Sequence, residues 1–523
     1  MATSPTIATQ GYSSTDPELA AIDASVRWPV LGCFLTAIHW MVVGTFLLVY
    51  ASSLAHPQDT FPVLGLFVTL SDNFSMFTYG RLWPAAIDTL VYGWATTAGM
   101  GIAIWILART SRTVVRSPAA LMTAVVFWNL GIAAGLIGIF LGDGNSVELL
   151  EFPAYAAWTL WLSYALFAFW AVITWLGRRA GHDHIAQAWL LVAIFSFPWL
   201  FGGGSVLLGG PPPPGSGVVQ ALIDAWYVHG LFTLWLAPLG FALLYYLVPK
   251  MSGIPIRYGD KAQVAFWTWL IFAPWTAVHD LVGGPFPAET VTTGLVLSGF
   301  LFIPVAIIGI SLISTTWEAE GKHGSHGGIV FPFLTLSAVC FVITGAAEQI
   351  LSIRSANDVL RFTMFRECDL FLWLYGFFTF GLFGAIYYIV PRLLDFSWRS
   401  AALIRIHYYA SLYGILLVIA MAGIGGVTQG FMLENPDPQM TILIVDNTVR
   451  NFHIAFTACI SLVSIGSGIF ALHLGWMLLN CINIRVRANR LASEILGETY
   501  EPEGPAGTIH IPPPAAKKKE VAA

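Results

Sequence analysis

The sequence predicts an all-α membrane protein, a bundle of about twelve transmembrane helices, and three observations predict it. Hydrophobic residues make up 57% of the 523-residue chain and charged residues only 10%. A soluble domain carries about 25% charge, so these few charges cannot cover a water-facing surface; they suffice where lipid is the solvent. Apolar runs long enough to cross about 30 Å of hydrocarbon recur along the chain. Basic residues gather in every second connection between those runs.

Taken in order, the runs lie at 28–50, 84–108, 118–141, 152–177, 185–208, 218–248, 262–283, 290–314, 329–352, 360–390, 402–431 and 450–480. A shorter apolar stretch at 61–79 reads as interfacial. The transmembrane domain is therefore 27–483. Before it, 1–26 is a polar tail with no basic leader region and no cleavage site. After it, 484–523 turns Pro- and Ala-rich and ends near Lys517–Lys519, which reads as a disordered cytoplasmic tail. By loop, 19 of the 24 lysines and arginines fall on the side shared by both termini. The positive-inside rule makes that side cytoplasmic. A net charge of −5 gives no nucleic-acid signal; the lipid bilayer is the first partner. Five scattered cysteines form no C-x-x-C pair, which removes a redox dithiol, a zinc knuckle and covalent haem attachment.

One internal echo points to repeated units. Tyr245-Tyr246-Leu247-Val248-Pro249-Lys250 closes the sixth span, and Tyr387-Tyr388-Ile389-Val390-Pro391-Arg392 closes the tenth. Each is an interfacial aromatic pair, a proline stop and an anchoring charge.

Ionisable groups at membrane depth are costly, so they mark the places to look for function. Asp88, Asp224, His229, His279, Asp280, Glu348 and Asp369 fall in the outer halves of five spans and are expected to share a polar cluster or water cavity. His229, His279 and Asp280 would make a three-ligand metal site if the sixth and seventh spans touch, since imidazole and carboxylate suit copper, zinc or iron. No short-range spacing selects that reading over histidines satisfied at a helix interface. Asp88, Glu348 and Asp369 are the carboxylates expected to serve a proton path, if one exists. His182 and His184 fall in a loop and receive no role.

Several segments together resemble the central subunit of the cbb-type branch of the haem-copper oxidases. They are Tyr79-Gly80-Arg81-Leu82-Trp83-Pro84, Trp226-Tyr227-Val228-His229, Ser352-Ile353-Arg354-Ser355-Ala356-Asn357, His407-Tyr408-Tyr409 and Val427-Thr428-Gln429-Gly430, with the two Tyr-Tyr repeats between them. Their order follows the family from about residue 70 to 480. The resemblance implies a twelve-helix core, two haems, a copper and partner subunits of a respiratory complex, a c-type cytochrome subunit among them, in a bacterial inner membrane.

The same resemblance exposes a departure. The family's haem histidines fall on Ala86, Asp369 and Phe371, and its seventh-helix tyrosine on Ala273. Alanine and phenylalanine offer iron no lone pair. The copper histidines fall on His229, His279 and Asp280, and a ninth-helix glutamate falls within one residue of Glu348. Haem is therefore not expected; the cofactor is none, or a single copper or other divalent metal. His39, His407, His453 and His473 lie on other spans and do not restore the haem ligands. Three readings stand at this point. The chain is a haem-poor or haem-free relative with a structural or proton-conducting role in a respiratory complex. It is an active cytochrome c oxidase or nitric oxide reductase subunit with unusual ligation. Or it is a transporter with a midplane polar site.

Overall fold

The computed structural model describes residues 16–56, 65–209, 217–323, 328–437 and 439–496. The helices are α1 (Pro17–Leu54), α2 (Tyr79–Ser111), α3 (Pro118–Leu141), α4 (Ala154–Leu176), α5 (Ile185–Leu208), α6 (Val218–Ser252), α7 (Ala262–Phe272), α8 (Ala288–Ala319), α9 (Phe331–Leu351), α10 (Phe365–Leu394), α11 (Ala401–Leu433) and α12 (Ile442–Leu496). Among the described residues, eleven helices are long and apolar enough to cross a membrane. The protein is an all-α polytopic membrane bundle.

The exception is the seventh expected span. It runs as an α-helix only to Phe272, then continues as a 3₁₀ segment, Ala273–Leu281. Pro274 explains the break: it has no N–H for the helical ladder, and its ring crowds the preceding turn. The stretch at 61–79 contains a short helix, Gly65–Asn73, and no spanning one; 61–64 lie outside the described residues.

Both domain edges differ from expectation. The first helix starts at Pro17, eleven residues earlier than the apolar run, because Asp16 caps it by accepting from the Glu18 N–H at 3.0 Å. Ile22 and Val26 then bury one face of that early part. The last helix continues to Leu496, so 484–496 is helical; 497–523, like 1–15, lie outside the described residues.

Three helices form the centre. The most apolar windows of α2 and α6 are 100% buried and that of α10 is 94% buried, against at most 61% elsewhere. All three carry a π-helical segment at mid-length: Thr89–Thr96, Leu231–Leu236 and Leu372–Thr379. A π turn widens the helix and loosens its carbonyls, a feature frequent at functional sites. Hydroxyls take up the slack: Thr97 Oγ1 donates to the Tyr92 carbonyl at 3.1 Å and Thr379 Oγ1 to the Leu374 carbonyl at 2.8 Å, each five residues back.

The Tyr-Tyr echo belongs to this pattern. Trp105 of α2 packs on Tyr246 of α6 at 5.8 Å and on Tyr388 of α10 at 6.3 Å, ring centre to ring centre. Each central helix also ends in a left-handed residue: Arg112 (φ 50°), Gly253 (φ 72°) and Asp395 (φ 51°). α2, α6 and α10 are thus three versions of one structural unit.

Candidate functional site

Two imidazoles and a carboxylate meet on the side of the bundle where α6, the broken α7 and α9 come together. One ligand atom each from His229, His279 and Glu348 lies within 4.8 Å of the others, and all three residues are buried. The break at Pro274 makes this possible, because the 3₁₀ segment that follows carries His279 against α6. The two imidazole rings stand edge to face with centres 5.1 Å apart.

Thr276 is the hub of the segment. Its Oγ1 donates to the Ala273 carbonyl at 2.9 Å and accepts from His229 Nε2 at 2.5 Å. Its own carbonyl accepts from His279 Nδ1–H at 2.5 Å. That bond sets the His279 tautomer and turns Nε2 toward Glu348 Oε2, 3.6 Å away. In neutral imidazole, Nε2 then presents a lone pair to a carboxylate oxygen, an arrangement that a shared cation or proton relieves. On its other oxygen Glu348 accepts from Trp373 Nε1 at 2.8 Å. Asn357 closes the back of the site by donating to the His279 and Leu351 carbonyls at 3.2 and 2.8 Å. The donor set has the composition of a two-histidine, one-carboxylate metal site with open positions, and its second shell orients both ends, as ligating groups require. Metal–ligand bonds of about 2.1 Å would need the set to close by about an ångström.

The structure thus brings His229 and His279 together, as the sequence proposed, but Glu348 stands where Asp280 was expected. The side chain of Asp280 lies outside the described residues. The single carboxylate cluster is corrected as well. Glu348 faces His279 and Trp373, whereas Asp88 faces Glu151 of the loop before α4. Burial pushes the Glu151 carboxyl up to about 7. Beside that pair, the Tyr92 and Tyr227 hydroxyls lie 2.6 Å apart and both reach the Leu149 carbonyl, so one donates to the carbonyl and the other to its neighbour's oxygen. Asp369 is half-buried at the start of α10. Sequence reading missed Thr276, Trp373 and Glu151. Only Asn357 had a signal, through the motif that contains it.

On the α2–α10 side, the positions expected to hold haem ligands are packed. Ala86 is fully buried. Phe371 is buried against Phe456 of α12, ring centres 5.8 Å apart. Trp94 Nε1 of α2 donates to Thr379 Oγ1 of α10 at 2.8 Å. α6 meets α10 so closely that a Cβ on Gly240 would clash with the Phe377 ring. His39 faces outward from α1, and His407 and His473 sit together with Tyr387 at the other end of α10. His453 borders a cavity of about 20 Å³, the size of one water.

Residues 29–474 match the family model for cytochrome c and quinol oxidase polypeptide I. The chain belongs to the haem-copper oxidase subunit I family. Among its relatives are a cytochrome c oxidase subunit 1 homolog of Azorhizobium caulinodans and the cbb3-type cytochrome c oxidase subunit CcoN1 of Stutzerimonas stutzeri. The first is 24% identical over 71% of this chain and 69% of its own length. The second is 23% identical over 71% of this chain and 79% of its own. A solved haem-copper terminal oxidase dimer shares the fold, with a TM-score of 0.61 and 15% identity over 90% of this chain and 84% of the other. In this haem-copper oxidase subunit I homologue, the three positions expected from the sequence to hold haem ligands, 86, 369 and 371, lie on two of the three central helices, α2 and α10.

Proposed function

We propose that this family member is haem-free and serves a respiratory membrane complex as a structural or proton-conducting subunit, keeping one metal-capable site. The carrying observation is the contrast between Ala86 and Phe371, packed with carbon neighbours, and His229, His279 and Glu348, held with their polar atoms converging. The residues at the haem positions do not fit a haem. No nitrogen or sulfur ligand stands at any of the three, and direct α2–α10 and α6–α10 contacts occupy the centre. The residues of the second group do fit a copper or other divalent ion, which would sit on His229, His279 and Glu348 and supply Lewis-acid or one-electron chemistry when bound.

Without a metal the same residues can pass a proton, because Glu348 and His279 are adjacent and each can carry one. A vestibule of about 450 Å³, bordered by Asp224, Val228, Leu281 and the Glu148–Arg366 ion pair, lies next to both histidines in sequence and supplies an approach from outside. The arginine-rich end is read as cytoplasmic, in a bacterial inner membrane, with partner subunits, a c-type cytochrome subunit among them, on the bundle's flanks. Metal analysis of the purified wild type and of His229→Ala tests the site: about one equivalent that disappears in the variant supports it, and unchanged metal content refutes it. Proton flux in vesicles with Glu348→Gln tests the relay, and unaltered flux removes Glu348 from it.

A further inference from the structure

At the arginine-rich end of the bundle, far along α6 from His229, a cavity of about 670 Å³ opens between α1, α2, the loop before α5 and the end of α6. Its volume lies within the roughly 300–1,000 Å³ of small-molecule sites. Its charged lining is chiefly basic: Arg109, Arg112 and Lys250, with His184 and one carboxylate, Asp183, whose Oδ1 is turned to Arg178 at 3.4 Å.

The two arginines are held in place. Arg109 grips Asp23 of α1 through two nitrogens, one at 2.8 Å, and Trp105 Nε1 donates to the same carboxylate at 3.1 Å. Arg112 is the left-handed cap of α2, a position where a side chain is strained and where α6 places Gly253. It is anchored from behind by Asp16 at 2.9 Å and Glu18 at 3.4 Å. Lys250 is different. It is exposed, and the charged groups that face it are Arg109, Arg112 and Arg392, all cations. His184 accepts the Ala186 N–H on Nδ1 at 3.1 Å, which leaves Nε2–H as a donor. Burial and the Lys250 ammonium lower its pKa. Crowded cations around a concave space concentrate anions, and oriented guanidinium and N–H donors suit phosphate oxygens.

We infer that this cavity binds a phosphate-bearing anion, with Lys250 as its mobile contact and Arg112 and His184 as fixed ones. The phosphate comes from an anionic phospholipid headgroup or from a soluble phosphate compound; the chemistry is the same, and the inference does not depend on the fate of the haem or metal sites.

The test uses the full chain in phosphatidylcholine nanodiscs, titrated with pyrophosphate by calorimetry. A parallel arm uses native mass spectrometry after reconstitution with mixed phosphatidylglycerol and phosphatidylcholine. Saturable pyrophosphate binding points to the soluble source, and selective retention of phosphatidylglycerol to the lipid source. In either arm Lys250→Gln weakens binding about tenfold and Lys250→Arg by less than about threefold, as loss or retention of one charge-assisted contact implies. Arg112→Gln serves as a second variant, acting at the opposite wall. The inference is overturned if the wild type binds neither probe, or if Lys250→Gln and Arg112→Gln both bind as tightly as the wild type.

Discussion

The α2–α10 side of the bundle and the α6–α7–α9 side are built in opposite ways. On the first, Ala86 and Phe371 are closed in by carbon, and Trp94 bonds directly to Thr379 across the gap. On the second, a proline break, a threonine hub and an asparagine clamp bring two imidazoles and a carboxylate together. Polar groups are expensive inside a membrane bundle, and on the first side packing fills the space. Where the polar groups persist, each has a partner that orients it.

The comparison breaks most sharply at Phe371. If the α2–α10 side is a packed core, Phe371→Ala should cost about 3–5 kcal/mol, as other buried phenylalanine truncations do. Thermal unfolding in detergent would read this; a loss under about 1 kcal/mol would mean the side chain borders empty space. On the opposite side, His279→Ala should reduce divalent-metal affinity by about a hundredfold or more, since even outer partners of a metal site are worth 10–100-fold. Equilibrium dialysis against zinc or copper measures it, with stability largely retained. A smaller effect, about tenfold on the same affinity, is expected for Trp373→Phe, which removes only the hydrogen bond to Glu348.

Glu151 sharpens the contrast through pH. Burial raises its carboxyl from 4.5 to about 7, so the folded state holds the proton more tightly than the unfolded chain. Its contribution to stability is therefore full below about pH 4.5 and is lost as pH rises toward 7. Unfolding midpoints across that window should fall for the wild type and flatten for Glu151→Gln. The smallest effect belongs to the half-exposed Arg366–Glu148 pair, whose removal by Arg366→Ala should cost less than about 1 kcal/mol.

Hydropathy made the bundle legible, because lipid imposes one length and one polarity on every span. It could not show that Pro274 ends a helix rather than bending it, since proline is tolerated inside other helices here, at Pro29 and Pro198. That single break decides where His279 points, so the sequence supplied two members of the polar trio and misplaced the third. Asp280 adjoins His279 in the chain, whereas Glu348 adjoins it only in space. Thr276 and Trp373 carry no chemical signature in one dimension. The expectation that Ala86 and Phe371 occupy haem-ligand positions rests on the motifs on either side, which set the register. Helix starts were less so: capping by Asp16 extends α1 into a segment whose composition is polar.

The most direct measurement is the visible absorbance of the purified protein, as a dithionite-reduced minus oxidised spectrum with pyridine haemochrome quantitation. Side chains of methyl and benzyl type at 86 and 371 predict no α-band and haem well below stoichiometric. One or more haems per chain, with sharp reduced bands, would contradict the account outright.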